Sequence, residues 1–398
     1  MEIDRIAVKV SAAAERKIKS GHPWVFEQAI EKLSKDPKAG DLAIIFNRKT
    51  NKRLAVGLYD PASVIRIKIL SNSGPVNLDQ TWFDEKTTLA NEQRSHFEKT
   101  YTNAYRIIHG ENDGFPGLIV DRYAQYMVVK VYSEIWLPYL KMFLESLMKI
   151  GDFKGILLRT SRLVQKQTKG NTAIIDGTVL HGELPEEIEF LEYGLKFKTN
   201  LRKGHKTGHF LDQRHNRNKV SKLAKGKKVL DIFSYTGGFS VHAFSGGASE
   251  VSSLDISKHA LQLASENVLL NFKNPKHKTI CGDAFETMQA LIKSGAKYDI
   301  VIIDPPSFAK RKQEVETAKR KYAELVQLGV QLVSKKGVLL MASCSSRVER
   351  EEFFALVEQQ ISRSSRRFNL LEKSFHDADH PISFPESAYL KTAFYRIN

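Results

Sequence analysis

Two apolar runs near the C-terminal end of the sequence each end in a residue that could do chemistry. Asp304 follows the run 300–303, and Cys344 comes one serine after the run 337–342 and is itself followed by two more serines. A thiolate can add to C6 of a pyrimidine, and methylation at C5 needs this addition because C5 is otherwise too weak a nucleophile. A lone cysteine in a strand is more often a small buried apolar residue, but the change from apolar residues to serines favours a nucleophile. We predict that Cys344 and Asp304 are catalytic.

The residues after Asp304 form a proline-rich loop. Pro305 and Pro306 fix φ and remove two amide donors, so the strand must end there in a rigid loop. Ligands of open parallel sheets bind at this carboxyl edge. We predict that Asp304 hydrogen-bonds the edge of an extruded base and that Phe308 binds the substrate by stacking on that base. Methyltransferases of exocyclic amines typically have an aromatic residue directly after the two prolines, and the intervening Ser307 disfavours that reaction.

Acidic residues lie at or near the ends of three further predicted strands, at Asp231, Asp255 and Asp283. In a doubly wound sheet, the first acid can face a cationic, amino-acid-like ligand, the second can bind both ribose hydroxyls, and the third can bind the adenine amino group. Each acid alone could equally cap the helix that follows it. Together with Asp304, they predict a site for S-adenosylmethionine as cofactor, to which all four acids contribute.

A glycine-containing turn follows Asp231. Its spacing is not G-x-G-x-x-G, so the dinucleotide fingerprint is absent and an NAD-linked oxidoreductase is disfavoured. Glycines at a junction between strand and helix let the backbone approach a ligand at the helix N-terminus. We predict that this turn supplies four cofactor-binding residues: Phe233, Tyr235, Thr236 and Gly237.

The charge of the sequence favours an acidic partner. The formal net charge is +16, and residues 196–228 contain twelve Lys and Arg but only one acid. Such a segment could be a solvated surface loop. Its place before the glycine-containing turn and its glycines at 204 and 208 favour phosphate contact instead. We predict RNA as the partner, with Lys203 and Lys206 among the residues that bind it.

Hydrophobic periodicity divides the sequence into three predicted domains. Residues 1–72 contain short strands with period-two alternation, typical of a small RNA-binding β-barrel, and residues 73–191 indicate an α+β linking domain with a helix at 85–99. Residues 192–398 alternate short apolar runs with helical segments, which predicts an α/β Rossmann-like domain. Its predicted parallel strands are 228–233, 250–255, 278–282, 299–304 and 338–343.

Several protein classes are excluded by composition. Two cysteines far apart, Cys281 and Cys344, give neither a disulfide framework nor a zinc cluster, and we predict no metal site. Cys281 is predicted to be a packing residue. The apolar runs are shorter than the roughly 18 residues of a membrane span, and the first residues lack the pattern of a secretion signal. We predict a cytoplasmic protein.

Taken together, these motifs resemble those of the large-subunit ribosomal RNA cytosine-C5 methyltransferases that carry an N-terminal PUA domain. The resemblance covers nearly the whole chain. The matching pieces are GHPWVF (21–26), HGE (109–111), DGFPG (113–117), KTG (206–208), FLDQR (210–214), DIFSYTGGFS (231–240), DPPSF (304–308), SCS (343–345), HP (380–381) and FPE (384–386).

The resemblance implies a PUA barrel, a linking domain and a Rossmann-like domain that binds S-adenosylmethionine, often in a homodimer. It also implies that Gln213 and Arg214 lie beside the cofactor and that Cys344 is the nucleophile. Relatives that methylate guanine can lack this cysteine. The alternatives are therefore a guanine methyltransferase of the same architecture and a non-catalytic RNA-binding or ribosome-assembly protein.

Overall fold

The computed structural model describes residues 3–168, 174–204, 207–309 and 311–398. These residues form two compact units. The first comprises described residues within 1–190, 199–209 and 378–385, and the second comprises those within 191–198, 210–377 and 386–398. The predicted boundaries of three domains, at 72 and 191, stay a prediction.

The first unit begins with a six-stranded mixed sheet. Its strand order is β2-β6-β5-β4-β1-β3. Side chains alternate along β1, so that Ile6, Val8 and Val10 are buried on one face. Ser11 caps the N-terminus of the helix that follows β1, because Ser11 Oγ accepts a hydrogen bond from Ala14 N at 3.3 Å. The elements are β1 (Arg5–Val10), α1 (Ala12–Lys19), β2 (Trp24–Phe26), β3 (Ile30–Leu33), β4 (Leu42–Phe46), β5 (Arg53–Tyr59) and β6 (Ile65–Ser71).

A second sheet of the first unit has the order β11-β10-β9-β8-β7. Its elements are α2 (Gln80–Glu92), β7 (Ala104–His109), β8 (Leu118–Tyr123), β9 (Tyr126–Val131), α3 (Leu140–Lys149), β10 (Gly155–Thr160), α4 (Arg162–Gln167) and β11 (Val179–Gly182). The predicted helix at 85–99 lies too far toward the C-terminus. It begins at residue 80 because Asp79 accepts a hydrogen bond from Trp82 N at 3.0 Å, and the chain changes to a 3-10 helix at Ser95–Thr100.

The second unit contains a seven-stranded sheet, and a two-stranded ribbon of β12 and β13 precedes it in the chain. The ribbon comprises β12 (Ile188–Glu192) and β13 (Leu195–Thr199), whose residues are divided between the two units. The elements of the second unit are α5 (Arg214–Leu223), β14 (Lys228–Ile232), α6 (Gly238–Ser245), β15 (Glu250–Asp255), α7 (Lys258–Leu269), β16 (His277–Cys281), α8 (Ala284–Lys293), β17 (Tyr298–Ile303), α9 (Val315–Leu332), β18 (Val333–Ser343), α10 (Arg350–Arg363), β19 (Phe368–Ser374) and β20 (Lys391–Ile397). The predicted α/β fold is confirmed.

The order of this sheet is β16-β15-β14-β17-β18-β20-β19. The first five strands are parallel, whereas β20 runs antiparallel to both β18 and β19. Ile300 to Ile303 are fully or almost fully buried, as expected for a parallel strand covered on both faces. Because Ile232 pairs with both Leu254 and Ile303, and Ile303 with Met341, the parallel strands end at one common edge. That edge carries the predicted acids and Cys344.

Within the described part of the chain, no helix combines the length and the apolar character needed to cross a membrane. The same residues include no group of His, Cys, Asp or Glu side chains arranged to hold a metal ion.

Candidate active site

The turn after β14 has an unusual backbone. Phe233, Tyr235 and Gly237 adopt φ angles of 64°, 47° and 77°, in the left-handed region that side-chain-bearing residues seldom occupy. A Cβ on Gly237 would lie 2.9 Å from the Cβ of Ala264 on α7, so only glycine fits there. Thr236 O accepts a hydrogen bond from an asparagine side chain of α7 at 2.9 Å. Strain held by such contacts is typical of ligand-binding turns.

Asp231 is buried at the end of β14, with 1% of its surface exposed. Its Oδ2 accepts a hydrogen bond from Ser240 Oγ at 2.7 Å, while its Oδ1 has no hydrogen-bond partner among the described residues. Burial raises the pKa of Asp231, the hydrogen bond from Ser240 lowers it, and the nearby carboxylates of Asp304 and Asp255 raise it, so that together they place this pKa at about 7. The open acceptor suits a cationic group.

Asp255 and Asp283 are engaged by backbone amides. Asp255 accepts hydrogen bonds from Tyr235 N and Ser257 N, each at 2.9 Å, and so ties the turn after β14 to the end of β15. Asp283 is exposed and caps α8, because its Oδ1 accepts from Phe285 N at 2.9 Å and from the next amide at 3.1 Å. The capping role that the sequence left open for Asp283 is therefore present, and its contact with adenine stays a prediction.

Gln213 and Arg214 stand at the start of α5 and are both buried. Gln213 Oε1 accepts a hydrogen bond from Asn216 Nδ2 at 2.6 Å, and Gln213 Nε2 has no hydrogen-bond partner in the described chain. Arg214 Nε donates to Asp377 Oδ2 at 3.1 Å. Gln213 thus offers an unused donor, whereas Arg214 takes part in a buried ion pair.

The structure brings Cys344 to the proline-rich loop after β17. Cys344 directly follows β18 and is half-buried, and its Sγ lies 3.9 Å from the carbonyl oxygen of Pro305. Ser345 Oγ donates to Ala309 O at 3.1 Å, which joins the two segments a second time. Asp304, also half-buried, lies at the head of the same loop, and its amide donates to Ile232 O at 3.5 Å. The two predicted catalytic residues therefore follow neighbouring strands.

Phe308 packs against the protein itself. Its ring centroid lies 5.2 Å from that of Tyr322, and the Lys321 ammonium lies 5.1 Å from its centre. The ring is half-buried beside the main core of the second unit. Its proposed stacking on a substrate base is not tested by these contacts.

The basic segment 196–228 contributes less free positive charge than its composition suggests. Arg214 and Arg217 are buried in ion pairs, and Arg217 binds Glu192 through two hydrogen bonds of 2.7 and 2.6 Å. Lys203 is exposed and pairs with Glu186 at 2.8 Å on the surface. Lys206 lies outside the described residues.

Sequence reasoning missed two residues at this edge and misplaced a third. Ile256, directly after Asp255, is 74% exposed, and an apolar residue after an acidic strand end is the signal that could have identified it. Lys391 is a buried lysine at the start of an otherwise largely apolar strand. The prediction that Cys281 is a packing residue is wrong, because Cys281 lies exposed at the end of the edge strand β16.

Comparison with known proteins gives consistent matches. Residues 127–396 match the family described as S-adenosylmethionine-dependent methyltransferase, and residues 8–72 match a PUA-like domain. The ribosomal RNA large subunit methyltransferase of Deinococcus radiodurans is 42% identical over 99% of this chain and 98% of its own length. The ribosomal RNA large subunit methyltransferase I of Aeromonas salmonicida is 34% identical over 95% of this chain and 96% of its own length. A solved structure from Streptococcus mutans, assigned as a SAM-dependent methyltransferase, shares the fold with a TM-score of 0.84 and 24% identity, over 98% of this chain and 99% of that chain.

Proposed function

This chain belongs to the S-adenosylmethionine-dependent methyltransferase family and carries a PUA-like domain, and from that premise we propose that it forms 5-methylcytosine in large-subunit ribosomal RNA through a covalent adduct at Cys344. The names of the Deinococcus and Aeromonas relatives support ribosomal RNA as the substrate. The choice of cytosine C5 rests on a single observation: the half-buried thiol of Cys344 lies beside the loop that Asp304 begins.

S-adenosylmethionine is the cofactor of this family, and when bound it supplies an electrophilic methyl group on a sulfonium sulfur. The described residues fit its amino-acid part. Neither Asp231 Oδ1, a buried acceptor, nor Gln213 Nε2, a buried donor, has a hydrogen-bond partner among the described residues, and they suit an ammonium group and a carboxylate respectively. We assign Asp255 to the ribose and the exposed Ile256 to the face of the adenine ring.

The proposed reaction begins at the thiol. The Cys344 thiolate adds to C6 of an extruded cytosine: the carbon–sulfur bond forms, the C5=C6 double bond shifts to C4=C5, and N3 takes up the displaced electron pair, which leaves C5 nucleophilic. Asp304 holds the N3 edge of the ring through a hydrogen bond. C5 then takes the methyl group, a base removes the proton from C5, and the returning electron pair expels the Cys344 thiolate. The enzyme leaves the cycle unchanged.

The product identifies the reaction. Purified protein is incubated with methyl-labelled S-adenosylmethionine and unmodified large-subunit ribosomal RNA, and the RNA is digested to nucleosides for mass spectrometry. The expected product is 5-methylcytidine. A methylated guanosine would overturn the proposal in favour of a guanine methyltransferase, and cofactor binding without any transfer would favour a non-catalytic RNA-binding protein.

Two matched cysteine variants test the nucleophile. Cys344→Ala is expected to lower turnover by at least about a thousand-fold while cofactor affinity stays close to that of the wild type. Cys281→Ala is the control and keeps activity. RNA with 5-fluorocytosine at the target should trap the wild type covalently, because fluorine replaces the proton that must leave before Cys344 departs. Activity of Cys344→Ala, or an adduct on Cys281, would refute the assignment.

The proposed phosphate contacts are the exposed basic residues Lys203 and, on α1, Arg16, Lys17 and Lys19. Because binding to phosphates releases counterions, RNA affinity is expected to fall steeply between about 50 and 200 mM salt. Filter binding measures this slope. An affinity independent of salt would reject these contacts.

A further inference from the structure

Lys391 is a buried lysine beside the segment that follows Cys344. It begins β20, where it pairs with Ser343 of β18, and only 1% of its surface is exposed. Its Nζ donates hydrogen bonds to Ser345 O and Val348 O, both at 2.5 Å, and to Tyr389 O at 3.3 Å. One side chain therefore connects three backbone carbonyls around the end of β18.

The three carbonyls define the protonation state of Lys391. Only an ammonium has three N–H groups to donate, so this arrangement leaves no lone pair with which Lys391 could act as a base. Burial lowers the pKa of Lys391 to about 8, which still leaves it mostly charged at neutral pH. Within the described residues, no carboxylate lies within ion-pair distance of Lys391.

Cys344 is one of two acidic residues that favour the charged form of Lys391. The Cys344 thiolate favours the protonated form of Lys391, which raises the pKa of Lys391 against the effect of burial. Two residues of α10 act in opposite directions: Arg350 disfavours the ammonium and Glu351 favours it. Cys344 itself also interacts electrostatically with Tyr322 of α9, which in turn interacts with Asp304.

We propose that Lys391 is a positioning residue, whose ammonium holds the segment after Cys344 in place and supplies the positive charge that stabilises the Cys344 thiolate. This role rests on the proposed function, because a stable thiolate matters for catalysis only if Cys344 is the nucleophile. The dependence of the ionisation of Cys344 on Lys391 can nevertheless be measured without any RNA.

The chain offers a clean background for the measurement because it contains two cysteines. In the full-length Cys281→Ser protein, Cys344 is the one remaining thiol, and its rate of alkylation by iodoacetamide against pH gives the midpoint of its ionisation. The midpoint is expected below the ordinary thiol value of about 8.5. A midpoint at or above that value would overturn the proposal, whatever the variants do.

Lys391→Met and Lys391→Arg in the same background separate charge from shape. Lys391→Met is expected to raise the midpoint by about one pH unit, which lowers the alkylation rate at pH 7 about tenfold. Lys391→Arg retains a cation and should shift the midpoint less. Unchanged circular dichroism and cofactor affinity establish that the variants are folded. A folded Lys391→Met protein with an unshifted midpoint would refute the role of the charge.

These outcomes are distinguishable from a failure of the proposed function. If Cys344→Ala remained active and no 5-fluorocytosine adduct formed, Cys344 would not be the nucleophile, yet the alkylation midpoint would still report on Lys391. If the adduct formed and the midpoint did not depend on Lys391, the proposed function would stand and the role of Lys391 would fall.

Discussion

Two sets of buried polar residues, one in each compact unit, differ in how completely their hydrogen-bonding atoms are used. In the first unit, Arg94 binds Asp113 through two hydrogen bonds of 2.9 and 2.6 Å, and Arg106 binds Asp121 through two of 2.7 and 2.9 Å. In the second unit, Asp231 Oδ1 and Gln213 Nε2 have no hydrogen-bond partner in the described parts of the chain. A buried polar group without a hydrogen-bond partner lowers the stability of a protein by about 1–3 kcal/mol. We therefore infer that the first set stabilises the fold and that the second set binds a ligand.

Some of the sequence motifs that suggested the family belong to the first of these two sets. His109 begins one of them, and its amide donates to Asp113 Oδ2 at 2.6 Å. Asp379, next to another, accepts hydrogen bonds from Arg106 N at 2.8 Å and from His380 Nδ1 at 2.9 Å. These motifs supply a satisfied network inside the first unit. Parts of these motifs therefore contribute hydrogen bonds within the fold of the first unit.

The largest expected effect comes from breaking the satisfied set. Arg106→Met removes the guanidinium from Asp121, whose side chain is fully buried, and leaves an uncompensated charge. The free energy of unfolding should fall by about 3–5 kcal/mol. Urea denaturation followed by circular dichroism measures it. Lys35→Met, which removes an exposed ion pair with Asp4, is the control and should cost at most about 1 kcal/mol. Equal losses of unfolding free energy in the two variants would show that the buried ion pair stabilises the fold no more than the exposed one.

Removing the open acceptor should act on binding instead of folding. Asp231→Asn keeps the shape and the contact with Ser240 but removes the negative charge. The affinity for S-adenosylmethionine should fall by about 1–3 kcal/mol, since a charge-assisted hydrogen bond is lost, while stability stays level or rises. Isothermal titration calorimetry and urea denaturation test the two parts. A less stable protein with unchanged affinity would place Asp231 in the structural set.

The pH dependence of cofactor affinity sharpens the same assignment. Burial raises the pKa of Asp231 to about 7, so the free protein carries a partly protonated carboxyl at neutral pH, whereas an ammonium ligand needs the ionised form. Affinity should rise by up to about tenfold per pH unit below pH 7 and level off above about pH 8. Asp231→Asn should remove this dependence. For folding the sign is opposite: a raised carboxyl pKa stabilises the folded state at low pH, and this stabilisation is lost as pH rises from about 4 to 7.

The smallest expected effect concerns Asp283, whose carboxylate already has partners in the cap of α8. Asp283→Ala should lower stability by about 1 kcal/mol, and Asp283→Ser should largely restore it because serine also caps helices. Cofactor affinity should fall less than in Asp231→Asn. Thermal unfolding and calorimetry on the three proteins test this order. A greater loss of affinity in Asp283→Ala than in Asp231→Asn would show that a satisfied carboxylate can still dominate binding.

The sequence predicted the strands of the second unit better than it predicted which of its charged residues are buried in ion pairs. The parallel strands were placed within a few residues, except that β18 begins at Val333, because continuous apolar runs record burial on both faces of a sheet. Burial of Arg214 and Arg217 could not be read from composition, since their partners lie at distant positions in the sequence. Lys391 was missed for the same reason. Whether a polar atom finds a partner depends on long-range contacts that periodicity does not encode.

The position of β20 between β18 and β19 also sets the order in which the sheet can be built during translation. β20 is the last strand in the described chain, and β19 lies at the sheet edge with β20 as its neighbour. Until residues 391–397 have left the ribosomal exit tunnel, β18 lacks its antiparallel neighbour and the three carbonyls around Cys344 lack the ammonium that joins them. The nascent chain therefore carries Cys344 without its finished surroundings, and the site is completed only after residues 391–397 have been synthesised.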